Sequence, residues 1–177
     1  MMEIFLSFFL GIFANWIYTK LQRNIKPNLS LSSKIIYNTD KNKLILKAQN
    51  IGKRQIIDIN IDFRIMEKIQ YDDHSKQMLV KKLPPALYQK VLVPISDSNK
   101  NDGWGLLNAC TFVIPFDNNI LELLTNHTNE RRIVVIVDSI DSESGTKYVF
   151  KKTYTINDIE YNKRFGKGLK ILDIIKA

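Results

Sequence analysis

The sequence predicts a mainly β domain, an antiparallel sandwich or barrel, carried behind one N-terminal apolar helix. Three observations predict it. Residues 4–19, IFLSFFLGIFANWIYT, carry no charge. After Pro27 the hydropathy alternates with period two, the signature of a strand with one dry and one wet face. Clusters of Asn, Asp, Ser and Gly break that pattern at short intervals, as turns between short strands do.

The helix comes first. A bilayer core takes roughly 20 apolar residues, and with Met1, Met2 and Leu21 counted at its edges, beyond Glu3 and Lys20, the segment is about that long. A cleaved signal peptide would begin basic and end in a small-residue cleavage pattern; here Glu3 opens the segment and no Ala-x-Ala pattern follows it. The expected organisation is a transmembrane helix over residues 1–22, a basic juxtamembrane linker over 23–27, and a β-sandwich over 28–177. Trp16 and Tyr18 fall where an aromatic belt would meet the headgroups. Lys20, Arg23 and Lys26 follow, suited to anionic headgroups of a lipid bilayer. Positive charge on that side puts the C-terminal domain in the cytoplasm, below a single pass through the inner membrane. Gly11 and Asn15 interrupt the apolar run four residues apart, on one helical face. A small residue and an amide there suit contact with a second helix, so a homo-oligomer or a protein partner is expected.

Strands are expected at Leu29–Tyr37, Lys43–Gln49, Gln55–Glu67, Gln77–Lys82, Val91–Ile95, Ala109–Ile114, Arg132–Ser139 and Lys147–Thr155. The clearest is Gln55–Glu67. There Ile57, Ile59, Ile61, Phe63 and Ile65 should line one face, and Asp58, Asn60, Asp62 and Arg64 the other. A short helix is expected at Asn118–Thr125, capped by Asp117 or Asn118, with Leu121 and Leu124 on its apolar face. Pro84-Pro85 marks a rigid connection.

Composition narrows the function. The 177 residues are 45% hydrophobic and 25% charged, an ordinary globular balance that excludes wholesale disorder. One cysteine, Cys110, excludes an intrachain disulfide framework and reads as a buried small hydrophobe. The net charge of +8 suits an anionic partner. No catalytic, cofactor or metal constellation is visible, and an enzyme is not expected. His74 stands in a polar loop with Asp72 and Asp73 but lacks a second His or Cys at ligand spacing. His127 follows the short helix. Gly166-Lys167-Gly168 lacks the spacing of a phosphate loop. The Lys and Arg residues from Lys147 to Lys170 are interleaved with aromatics, which could serve nucleic acid. A strand with aromatics inward and lysines outward explains the same mixture.

The order of elements resembles the cytoplasmic domain of inward-rectifier potassium channels. The basic helix exit Lys20–Pro27 leads to a strand near Lys34-Ile35-Ile36, then to Lys43-Leu44 with Gln49-Asn50-Ile51-Gly52, then to the alternating strand from Gln55. In the C-terminal half, Trp104 opens a strand, and the Asn118 helix and the Arg132–Ser139 strand follow. Thr153-Tyr154, Asp158-Ile159 and Lys163-Arg164-Phe165 close the pattern. The resemblance implies an immunoglobulin-like sandwich below a membrane helix, a tendency to assemble around an axis, and a lipid-contacting junction at Lys20, Arg23 and Lys26. It implies no potassium conduction, because nothing in this chain resembles a selectivity filter. The expected function is that of a single-pass membrane protein whose cytoplasmic domain binds a ligand or partner and organises an oligomer of membrane helices. Its sharper form is a membrane-disrupting effector in prokaryotic antiviral defence. The alternative is a passive tether that recruits a soluble protein or nucleic acid.

Overall fold

The computed structural model describes residues 2–24, 26–83, 91–94, 108–125 and 130–173. Helix α1 spans Met2–Asn24. The strands that follow are β1 (Leu29–Leu31), β2 (Ile35–Asn38), β3 (Lys43–Asn50), β4 (Ile56–Gln70), β5 (Ser75–Leu83) and β6 (Ala109–Pro115). Helix α2 (Asn118–Thr125) precedes β7 (Arg131–Asp141) and β8 (Lys147–Tyr154). A 3-10 turn (Ile156–Asp158) leads to β9 (Ile159–Tyr161), β10 (Lys163–Phe165) and β11 (Ile171–Asp173).

Two antiparallel sheets carry the fold. In the first, β3 pairs with β6 along one edge, from Lys43↔Pro115 to Gln49↔Ala109. Along its other edge β3 pairs with β1 at one end and β2 at the other. β9 extends β2 in parallel. The second sheet runs β5-β4-β7-β8, antiparallel throughout. One core joins them: Leu44, Leu46, Phe112 and Ile114 from the first sheet meet Phe63, Ile65, Val135 and Tyr154 from the second. The mainly β, antiparallel architecture is the expected one, and the shared core is consistent with a sandwich. Helix α2 has the expected bounds. Asp117 Oδ1 accepts from the Ile120 N–H at 2.9 Å, and Ile120 and Leu124 face the core.

Several expectations are corrected. The segment Leu29–Tyr37 is two strands, because at Ser32 only the backbone N–H stays on β3, donating to the Lys47 carbonyl at 2.8 Å. Its hydroxyl donates to the Lys34 carbonyl, and its own carbonyl accepts from the Tyr154 hydroxyl. β4 is longer than expected and broken by a bulge between Ile57 and Asn60, where Asp58 takes φ of 48°. The extra residue shifts the face, so Ile56 is buried and Ile57 is not. Val91–Ile95 gives only an isolated bridge from Leu92 to Ile56, with Ile95 outside the described residues. Trp104, His127, Pro84-Pro85 and the tail from Ile174 also lie outside them.

The β9 strand and the β10–β11 hairpin were not anticipated. Asp158 orders the turn before β9 by accepting from the Thr155 N–H and hydroxyl, each at 2.9 Å. Lys47 Nζ donates to the Gly166 carbonyl at 2.7 Å, which holds the hairpin against β3.

α1 continues to Asn24, two residues into the expected linker. Every side chain described in it, over residues 6–21, is exposed. Among the described residues no helix is long and apolar enough to cross a membrane. Those side chains number sixteen, and the α1 backbone continues on both sides of them.

Candidate functional site

The helix leaves the domain at one end of the sandwich, and that end is the best-organised polar region among the described residues. Pro27 is buried and Asn28 leads directly into β1. The antiparallel register Leu29↔Asn50 brings the β3–β4 turn against this junction. The Ile51 and Gly52 N–H groups both donate to the Asn28 carbonyl, at 2.8 and 3.1 Å. Gly52 is needed for that approach, since a Cβ there would lie 2.4 Å from the Asn28 nitrogen.

Asn50, fully buried, orders the same turn with its amide. Nδ2 donates to the Arg54 carbonyl at 2.7 Å and the Leu92 carbonyl at 3.2 Å, and Oδ1 accepts from the Gly52 N–H at 3.0 Å. Arg54 then reaches β7. Its Nη1 donates to Asp141 Oδ2 at 2.9 Å, and Nε lies 3.3 Å from Glu143. Asp141 also accepts from the Ser144 hydroxyl at 2.7 Å and the Glu143 N–H at 3.1 Å. Burial pushes the Asp141 carboxyl up, but hydrogen bonds from Arg54, Ser144 and the Glu143 N–H outweigh it and hold the group below the usual carboxylate range. The same pair raises Arg54, chiefly through the Asp141 hydrogen bond. A continuous polar chain thus runs from the helix exit at Asn28 through Gly52, Asn50 and Arg54 to the β7–β8 turn.

Beside this end an open groove of about 360 Å³ separates β1 from β8. Leu29, Ser30 and Leu31 form one wall, and Val149 to Lys152 the other. Lys152 crosses it, donating to the Leu31 carbonyl at 3.1 Å while lying 5.5 Å from the Tyr154 ring centroid. The groove offers ammonium groups and backbone to an anionic or extended ligand.

The residues expected to meet a membrane lie apart from the sandwich. Gly11, Asn15, Trp16, Tyr18 and Lys20 are all exposed on α1. Nothing lies within 4 Å of a Cβ built on Gly11. Trp16 stacks on Phe13 at 6.0 Å, and Lys20 Nζ sits 4.8 Å over the Trp16 ring. Arg23 belongs to α1, with its side chain outside the described region, and Lys26 is exposed at the exit. Cys110 is buried on β6. His74 closes the β4–β5 hairpin, bonded to Asp73 and stacked on Tyr71 at 4.9 Å. Among the described residues no three His, Cys, Asp or Glu side chains group as a metal site.

Sequence reasoning marked Asn50-Ile51-Gly52 only as a turn, and missed Arg54 and Asp141 entirely. The available signal was an Arg next to a strand start and an Asp at a strand end. Pairing them required the register of two strands 87 residues apart. No family model and no curated protein matches the chain.

Proposed function

We propose that the chain is a single-pass membrane protein whose cytoplasmic, immunoglobulin-like β-sandwich binds a ligand or protein partner and organises an oligomer of membrane helices. One observation carries the reading. The described side chains of α1 are exposed all round and mostly large and apolar, Phe8, Phe9, Leu10 and Phe13 among them, with no strand among the described residues laid against them. Apolar surface of that extent requires a cover. At 1.5 Å per residue the 23-residue helix is about 34 Å long, against a hydrocarbon core of about 30 Å. Lys20 and Lys26 then fall at the boundary where anionic headgroups attract them.

Strand order supports the immunoglobulin-like part. With β1 and β2 as strand A, β3 as B and β6 as E, the first sheet reads A-B-E; the second, β5-β4-β7-β8, reads C′-C-F-G. The likeness to the channel cytoplasmic domain rests on that order and on the basic helix exit. Gly11 and Asn15, exposed on one helical face, suit helix–helix contact. The polar chain from Asn28 to Asp141 ties the helix exit to the second sheet, so an event in the domain can bias helix packing. In its sharpest form the assembled helices breach the membrane, as a prokaryotic defence effector would.

The test is expression in bacteria with membrane fractionation, growth and membrane potential followed together. The comparison proteins are Asn15→Leu and a chain lacking the residues before Lys20. Membrane retention and depolarisation that both require the helix are the expected result. A chain that stays in the soluble fraction sinks the membrane reading. A retained chain with unchanged potential leaves the passive tether as the better account.

A further inference from the structure

The outer face of the second sheet carries apolar residues flanked by charge. A half-solvated antiparallel strand alternates apolar and polar residues, whereas one covered on both faces reads apolar throughout. β7 reads Arg-Arg-Ile-Val-Val-Ile-Val-Asp-Ser-Ile-Asp. Ile133, Val135 and Val137 fill the core, yet Ile136 and Ile140 on the other face stay partly exposed with no described element over them; Val134 on that face is itself buried, at 4% exposure. The registers place charge on either side of this stripe. The row through Ile136 has Asp62 on β4 and Lys151 on β8. The row through Ile140 has Ile57, next to Asp58, on β4 and Lys147 on β8. Asp58 and Lys151 are exposed and have no ion pair among the described residues.

We infer that this face pairs with the same face of a second copy, about a two-fold axis running along β7. The charges select that axis. Rotation about it keeps each row at its level and exchanges the flanks, so Asp62 of each copy faces Lys151 of the other, and Asp58 faces Lys147. A two-fold axis across the strands would instead set β8 against β8, with Lys147 and Lys151 facing lysines of the other copy, while sending the two α1 exits in opposite directions. Rotation along β7 leaves both exits on one side, as two helices in one bilayer require. Asp138 lies on the axis and faces its own copy; Lys147, 3.7 Å away, offsets it. The pairing deepens the oligomer proposed above and rests on that reading only for the shared direction of the helices.

Asn60 and Val149, both exposed, occupy the row of Asp138. In the paired copies each Asn60 faces a Val149, across the roughly 10 Å that separates packed sheets. The experiment uses the full chain, in isolated membranes and in mild detergent, with a bis-maleimide of about that reach. The buried Cys110 is the shared background. The Asn60→Cys/Val149→Cys double variant is expected to give a covalent dimer in both settings, and Asn60→Cys alone is expected not to. Efficient dimer from Asn60→Cys alone overturns the axis, and no dimer from the double variant overturns the face. Lys151→Glu should abolish cross-linking of the double-cysteine chain, and adding Asp62→Lys should restore it. Loss without restoration also counts against the pairing. Because the detergent sample needs no membrane, failure of the membrane reading shows in fractionation while the pairing is still decided.

Discussion

Arg54 Nη1 donates to Asp141 Oδ2 across 2.9 Å, joining the turn that holds the helix exit to the far end of β7. Asp141 is fully buried and Arg54 nearly so. A pair of this kind adds little net stability over an apolar replacement, but removing one partner strands the other. Asp141→Ala is therefore expected to lower the unfolding free energy by about 3 kcal/mol, read from urea denaturation of the full chain in detergent. A loss below about 1 kcal/mol would mean that water or Glu143 takes over the guanidinium.

Acid should unfold the protein through the same group. Asp141 and Asp158 both titrate below the ordinary carboxylate range when folded. For Asp158 the Thr155 N–H is the main cause, opposed by burial and reinforced by the Thr155 hydroxyl and Lys34. The unfolded chain then takes up these protons at higher pH than the folded one. Their stabilisation is complete above about pH 4 and is lost as pH falls through the folded values. Asp158→Asn should cost more stability at pH 7 than at pH 2.5. Equal losses at both values would contradict the linkage.

The junction makes a sharper prediction about backbone space. A methyl at Gly52 meets the Asn28 nitrogen and the Pro27 carbonyl carbon at 2.4 and 2.9 Å, backbone on both counts. Gly52→Ala is expected to cost about 1–3 kcal/mol by overpacking and to change protease sensitivity next to Asn28. Gly145→Ala meets no atom within 4 Å and bears only the strain of its φ of 66°. It should cost about 1 kcal/mol and leave the junction unaltered. Thermal unfolding of the two variants side by side checks the contrast.

How much of this was written in the sequence depends on the range of the interaction. Period-two hydropathy located β3, β6, β7 and β8 to within two residues, because each is fixed by a local choice of which side chains face a core. The Asp117 cap and the Leu spacing located α2 for the same reason. The residues that break local rules were not legible. Ser32 turns its carbonyl from the ladder to the Tyr154 hydroxyl, 122 positions away. β9 is a parallel strand of three residues, recruited by β2 and by Tyr161 lying 5.8 Å from Tyr37. Arg54 and Asp141 meet only through the β4–β7 register, which sets Ile56 opposite Asp141. In the helix the residue identities were visible at once, and the described residues bring no other element against Gly11.

Asp58 is the local rule broken most cheaply to test. It holds φ of 48° in the β4 bulge, a region that β-branched residues resist and glycine does not. Asp58→Gly should leave stability unchanged or slightly raised, whereas Asp58→Val should cost roughly 1–2 kcal/mol. If both variants lose the same amount, the side chain rather than the backbone fixes the bulge. The measurement is again the denaturation midpoint, with β-sheet circular dichroism to show that the sheet survives.

Tyr154 is fully buried, and its hydroxyl donates to the Ser32 carbonyl at 2.7 Å, tying β8 to the break between β1 and β2. Burial pushes its ionisation well above the ordinary tyrosine range, and a phenolate could no longer donate to the Ser32 carbonyl. Two consequences can be read separately. Tyr154→Phe keeps the ring but leaves the Ser32 carbonyl without its donor, which should lower the unfolding free energy by about 1–2 kcal/mol. In an ultraviolet titration of the wild-type chain, one phenolate should appear only as the protein unfolds in alkali. That step should vanish in Tyr154→Phe while the earlier tyrosine ionisations stay in place. A wild-type titration in which every tyrosine ionises before unfolding would show that this hydroxyl reaches solvent and that the tie between the two sheets is looser than the 2.7 Å contact requires.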